Sequence, residues 1–184
     1  MTRIVGVSGA LRRGSVNAGL LAAAKDVLPA GVTLEIATIR GIPLYDGDVE
    51  AAEGIPPAVS ALKDAFASAD GLLLSTPEYN NSIPGVFKNA IDWASRPSSD
   101  IVRVFGGKKV AIMGASPGNF GTILSQNAWL PVLRMLGCDL WNGGRLMVPQ
   151  AGKVFDAEGR LTDEATKERL KKFLAGFAAF VRGK

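Results

Sequence analysis

The chain has no histidine and a single cysteine, Cys138. The first absence removes the usual general base near neutral pH and the commonest metal ligand, so a Ser-His-Asp hydrolase is excluded. The second excludes an internal disulfide and a cysteine-rich metal cluster. A lone thiol fits a reducing cytoplasm. No carboxylates gather at metal-ligand spacing. No apolar run reaches the roughly 18 residues that cross a membrane. The N-terminus passes directly into Ile4-Val5-Gly6-Val7, without the basic and apolar regions of a secretion signal. A cytoplasmic protein with no membrane partner is expected. The net charge is +4, but the basic residues are scattered, and Lys167, Arg169 and Lys171 alternate with acids. No basic stripe for nucleic acid results; a mild field attracting anionic substrates does. A chain with so little reactive side-chain chemistry is suited to borrowing a cofactor's.

What is present is apolar and regularly patterned. Hydrophobic residues make up 47% of 184, enough to fill the core of one domain spanning 1–184. No linker, repeat or low-complexity tract interrupts it. Strands are predicted at 3–8, 33–39, 71–75, 109–115 and 144–148, and helices at 17–28, 57–68, 84–95, 122–136 and 163–182. Leu72-Leu73-Leu74 and Val110-Ala111-Ile112-Met113 are apolar on both faces, as buried parallel strands are. Five strands alternating with five helices predict a doubly wound, five-stranded parallel α/β sheet in three layers. The stretches 40–55 and 96–107 lack periodicity and read as surface loops.

Such sheets bind ligands at the carboxyl ends of strands, beside the point where strand order reverses. The loops after strands one, three and four therefore matter, and all three are rich in Gly, Pro, Ser and Asn. The first runs Ser8-Gly9-Ala10-Leu11-Arg12-Arg13-Gly14-Ser15-Val16-Asn17. A glycine-rich loop that opens a helix aims backbone N–H groups and the positive helix end at one spot. Arg12 adds a forked cation, Ser15 a hydroxyl and Asn17 an amide; Ser8 and Val16 flank them. Neither a Gly-Lys-Ser/Thr ending nor a full G-x-G-x-x-G is present, which points to the phosphate of a mononucleotide. The second loop carries Pro77-Glu78-Tyr79-Asn80. Its prolines stiffen it, its amides face the edge of a flat heterocycle, and Tyr79 offers an aromatic wall. The third, Ser116-Pro117-Gly118-Asn119-Phe120-Gly121, lets a planar ring approach its backbone.

These motifs, with Pro84-Gly85-Val86-Phe87-Lys88-Asn89-Ala90-Ile91-Asp92-Trp93, resemble the NADPH-dependent FMN reductase family, which includes quinone, chromate and azo-dye reductases of flavodoxin-like fold. The resemblance extends from residue 3 to about residue 182. It implies that Arg12, Ser15 and Asn17 hold the FMN phosphate, that Pro77, Glu78, Tyr79 and Asn80 line the isoalloxazine, and that Ser116 to Gly118 close its far edge. Ala10 stands where many members have Ser, and Pro131 where some have Arg. The implied activity passes electrons from NADPH or NADH through bound FMN to quinones, azo dyes, metal oxyanions or free flavin, with ping-pong kinetics, in a homodimer or homotetramer. A flavodoxin-type electron carrier would share the fold and the phosphate site. Such carriers are strongly acidic, whereas this chain has a pI near 9.4.

Other residues have a plainer reading. The carboxylate of Glu78 is expected to face solvent or a neighbouring subunit. Phe87, Trp93 and Trp129 are candidates for a subunit contact or for core packing. Tyr45-Asp46 either borders the active-site mouth or packs. Cys138 reads as a small apolar residue rather than a redox group.

Overall fold

A computed structural model describes residues 1–183. Six parallel strands form one sheet: β1 (Thr2–Ser8), β2 (Val32–Ala37), β3 (Gly71–Ser75), β4 (Lys109–Ala115), β5 (Asp139–Leu140) and β6 (Leu146–Val148). The order is β2-β1-β3-β4, with β5 and β6 both on the outer edge of β4. The chain leaves β1 for β2 on one side and returns to β3 on the other, so strand order reverses between β1 and β3. This is the flavodoxin-like arrangement.

The helices are α1 (Val16–Asp26), α2 (Gly47–Glu53), α3 (Pro57–Ala67), α4 (Gly85–Ala94), α5 (Ile101–Val104), α6 (Ile123–Met135), α7 (Ala151–Val154) and α8 (Glu164–Val181). One face of the sheet supplies Ile4, Leu73, Ala111 and Met113, covered by Leu20 and Leu21 of α1 and by Leu170, Leu174 and Phe177 of α8. The other supplies Val5, Val7, Leu72, Leu74, Val110 and Ile112, covered by Leu62 and Phe66 of α3, Ala90 and Ile91 of α4, and Trp129 and Leu133 of α6. Neighbouring residues of one strand thus enter opposite cores. That is why the central strands are unbroken apolar runs rather than alternating ones.

Two expectations change. The strand expected at 144–148 is present as β6, and a further short strand, β5, precedes it: β5 pairs with Lys109 and Val110, and β6 with Met113 to Ala115. Between them the Trp141 N–H still donates to the Val110 carbonyl at 2.9 Å. Its indole then turns onto Phe173 and Phe177, with ring centroids 5.0 and 5.8 Å apart, and the backbone leaves the ladder. The stretches 40–55 and 96–107 are not all loop, since they contain α2 and α5. No residue of α2 is buried, so no apolar stripe betrays it.

Phe87, Trp93 and Trp129 have no exposed surface. They cannot meet a partner subunit; burial of each contributes about 1.5–3 kcal/mol to this protomer's own core. Among the described residues no helix is long and apolar enough to cross a membrane.

Candidate functional site

Each loop leaves the sheet with one more ladder bond. Gly9 N–H donates to the Ser75 carbonyl at 2.9 Å, Thr76 N–H to Met113 at 2.8 Å, and Ser116 N–H to Val148 at 3.0 Å. The loops therefore emerge side by side at the carboxyl edge. A side chain on Gly114 would place its Cβ 2.3 Å from the Thr76 carbonyl oxygen and 2.1 Å from Thr122 Oγ1. Glycine there lets the second and third loops touch.

The first loop ends in a capped helix. Ser15 is extended and its hydroxyl accepts the Ala18 N–H at 3.4 Å. The first-turn N–H groups of Val16 and Asn17 lack intrahelical acceptors and carry the positive end of α1. Arg12 and Arg13 are exposed, and neither meets a carboxylate among the described residues. Ser8 Oγ accepts the Ala10 N–H at 3.3 Å and shapes the turn. Arg40, beyond β2, donates to the Leu11 carbonyl and ties the loop sideways.

The side-chain amide of Asn17, expected at the phosphate, points into the protein instead. Its Nδ2 donates to the Ala115 carbonyl and its Oδ1 accepts the Ala115 N–H, both at 2.9 Å. Ser75 Oγ donates to the Asn17 carbonyl at 2.9 Å. Asn17 thus clamps the start of α1 to the end of β4, and what it offers an anion is its backbone N–H.

A segment that the sequence reading passed over braces this loop from below. A Cβ on Gly19 would lie 1.7 Å from the Gly159 carbonyl oxygen, so α1 rests directly on the turn at 156–160. Asp156 Oδ1 holds that turn by accepting N–H groups of Glu158 at 3.1 Å and Arg160 at 2.8 Å. These bonds, the Arg160 amide first, lower the Asp156 pKa. Asp156-Ala157-Glu158-Gly159 was the legible turn signal.

In the second loop the Tyr79 N–H donates to the Ser82 carbonyl at 3.1 Å and the Ser82 N–H to Tyr79 at 3.0 Å. Asn80 and Asn81 between them have φ of 50° and 63°, the left-handed pair of a tight hairpin turn. The turn holds the Tyr79 ring outward, 47% exposed. Pro77 is buried beneath it. Glu78 corrects the expectation of a solvent-facing carboxylate: its Oε2 accepts the Leu124 N–H at 2.8 Å and the Ser125 N–H at 3.0 Å. Thr122 makes no side-chain cap, so Glu78 caps α6 from another loop and fills that helix end with its own charge.

In the third loop the Ser116 hydroxyl donates to the Gly121 carbonyl, closing its own turn. The Gly118 carbonyl accepts the Gln150 N–H at 2.9 Å, and Gln150 Nε2 donates to Asn119 Oδ1 at 2.9 Å. Gln150, unsuspected from sequence, is the outer support of this loop. Phe120 is 78% exposed and stands at the same edge as Tyr79.

A groove of about 810 Å³ runs along α1, bordered by Arg12, Arg13, Gly14 and Ser15. Tyr79, Ser116 and Gly118 do not line it; they form an open rim on the neighbouring loops. Every buried side-chain nitrogen and oxygen of the described residues has a partner, and no three or more Cys, Asp or Glu side chains gather among them as a metal site would require. The unspent donors are the N–H groups at the start of α1 and the two arginines. They fit a phosphate there. The start of α6, already occupied by Glu78, does not invite a second anion. The arrangement can anchor an anionic tail and lay a flat group across the other two loops.

Comparison with known proteins gives the family and the fold. A family model described as NADPH-dependent FMN reductase matches residues 2–153. An NAD(P)H-dependent FMN reductase of Pseudomonas aeruginosa is 44% identical, over 98% of this chain and 95% of its own. A quinone reductase of Escherichia coli K12 is 36% identical over 98% and 95%. The solved structure of FerB, an NAD(P)H:(acceptor) oxidoreductase flavoenzyme of Paracoccus denitrificans, superposes with a TM-score of 0.87 at 31% identity, covering 100% of this chain and 98% of that one.

Proposed function

The chain belongs to the NADPH-dependent FMN reductase family, and on that premise we propose that it holds FMN at the three loops and passes electrons from NADPH or NADH to quinones and related small acceptors. The observation that carries this reading is the start of α1: unspent N–H groups of Val16 and Asn17 beside Arg12 and Arg13, at the edge where strand order reverses.

When bound, FMN would supply the two-electron chemistry that amino-acid side chains do not provide. The chain's part is binding and orientation. Arg12, Ser15 and the first turn of α1 hold the phosphate. The backbone of Pro77, Glu78, Tyr79 and Asn80 meets the heterocycle's edge, kept in place by the Asn80–Asn81 turn and by Glu78 locked onto α6. Pro77 has no N–H and that of Tyr79 is spent on Ser82, so the N–H groups of Glu78 and Asn80 are the ones left to stabilise negative charge developing there. Ser116 and Gly118 close the far edge, supported by Gln150. On this reading reductant and acceptor share the exposed side of the ring, at the edge where Tyr79 and Phe120 stand exposed. The reductant leaves before the acceptor enters, and ping-pong kinetics follow. Azo dyes, metal oxyanions and free flavin are further acceptors of such a rim. On the same premise the protein is cytoplasmic and a homodimer or homotetramer. Exposed apolar side chains such as Met135 and Leu124 are available for that contact.

The test is a visible spectrum of the purified protein, then NADPH added without air. A yellow protein that NADPH alone bleaches is expected. A colourless protein that rejects added FMN overturns the reading. A yellow one that NADPH leaves unbleached is a carrier, not a reductase.

A further inference from the structure

The proposed electron transfer leaves most of the α1 groove unused. The groove starts at Arg12–Ser15, follows one face of α1 through Ala18, Ala22 and Asp26, and is walled by Glu158, Leu161 and Lys167. Because α1 begins at the carboxyl edge and runs antiparallel to the strands, the groove leads away from Tyr79 and Ser116. The 11 residues of α1 extend about 16 Å, and a volume of about 810 Å³ lies in the size range of small-molecule sites.

Its polarity is graded. Arg160 is committed to Asp156 and Glu158, and Lys167 to Glu164. The uncompensated cations are Arg12 and Arg13, at the phosphate end. The middle is small and apolar, with Ala18, Ala22 and Leu161. A ligand that suits it has an anionic group at one end and a flat, weakly polar body beyond.

We propose that this groove is an adenylate subsite, and that the protein accepts FAD as well as FMN, with the adenylate half along α1. The inference rests on FMN phosphate binding at the start of that helix. An adenylate joined to that phosphate leaves it on the side away from the ring, where the groove begins. The adenylate of NAD(P)H reaches the same chemistry only by crossing back over the phosphate loop, because its nicotinamide must lie at the Tyr79 rim. Arg13 is placed for the second phosphate, and Ala22 lies under the adenine.

The experiment titrates flavin-free protein with FMN and with FAD, reading tryptophan fluorescence, in the parent and in Ala22→Trp and Ala22→Glu. Ala22 is exposed and far-UV circular dichroism verifies the fold of both variants. FAD binding within about tenfold of FMN is expected in the parent, with both variants weakening FAD about tenfold or more and leaving FMN within about twofold. FAD binding more than about tenfold weaker than FMN in the parent, or FAD affinity unmoved by both variants, overturns the proposal. So does a rise in KM for NADPH while FAD affinity holds, which assigns the groove to the reductant's adenylate. A parent that takes up neither flavin removes the FMN reading itself, a separate outcome.

Discussion

Replacing Asn17 with alanine separates two roles that one residue could have. In the structure its amide is 2% exposed with its residue and makes two bonds of 2.9 Å to the backbone of Ala115. Truncation strands the N–H and the carbonyl of a residue that is itself 1% exposed. Each stranded group costs about 1–3 kcal/mol. Water entering the space recovers part of this, so we take about 3 kcal/mol for the pair, out of about 5–15 kcal/mol for a whole domain. For a chain of this size that lowers Tm by roughly 6–12 °C. Urea unfolding of the flavin-free protein reads the effect without a contribution from the ligand; the midpoint should fall at constant slope. Asn17→Asp keeps an acceptor for the Ala115 N–H but sets a carboxylate against the Ala115 carbonyl, and should be at least as damaging. A flavin-free Asn17→Ala within about 0.5 kcal/mol of the parent, but about tenfold weaker for FMN, would refute the clamp and return the amide to the phosphate.

Arg12→Ala removes one charge-assisted contact of about 1.5–3 kcal/mol, so FMN should bind about 10- to 150-fold more weakly in a fluorescence titration, with flavin-free stability unchanged. Glu78→Ala uncovers the N–H groups of Leu124 and Ser125 and should destabilise the fold by about 1–2 kcal/mol, as loss of a helix cap does; equal urea midpoints would count against the capping role. Lys63, and after it Arg103, hold the Asp100 carboxyl down to about 2. A depressed folded value stabilises above the ordinary carboxylate range and is lost as pH falls. Asp100→Asn should therefore flatten the stability loss between about pH 4 and pH 2, measured by urea midpoints; an unchanged slope refutes the pairing. Burial pushes the Cys138 thiol up to about 12, so iodoacetamide at pH 8 should alkylate the native protein on the order of a thousandfold more slowly than the urea-unfolded chain. Comparable rates would show that the thiol is exposed.

Much of the fold was legible because its signals are local. Leu72-Leu73-Leu74 reads as a buried parallel strand from its own residues, and the stripe Leu170, Phe173, Leu174, Phe177 as a packed helix. The strand predicted at 71–75 coincides with β3, and the helix predicted at 163–182 exceeds α8 by one residue at each end. The strand predicted at 144–148 is found at 146–148, but the two-residue β5 before it was missed, because it is too short to show a pattern and ends where Trp141 packs on Phe173 and Phe177. Helix α2 was invisible because it buries nothing.

By themselves the residues determined the class of fold, the three loops that emerge together at the carboxyl edge of the sheet and the absence of a histidine-based mechanism. Those follow from composition, periodicity and chain order, which need no partner distant in sequence. The tertiary structure alone decided how polar side chains are spent: Asn17 on Ala115, Glu78 on α6, Gln150 on the third loop, the 156–160 turn under α1. A hydrogen-bonding group serves whichever unsatisfied group it meets once buried, and the identity of that group is set by residues tens of positions away.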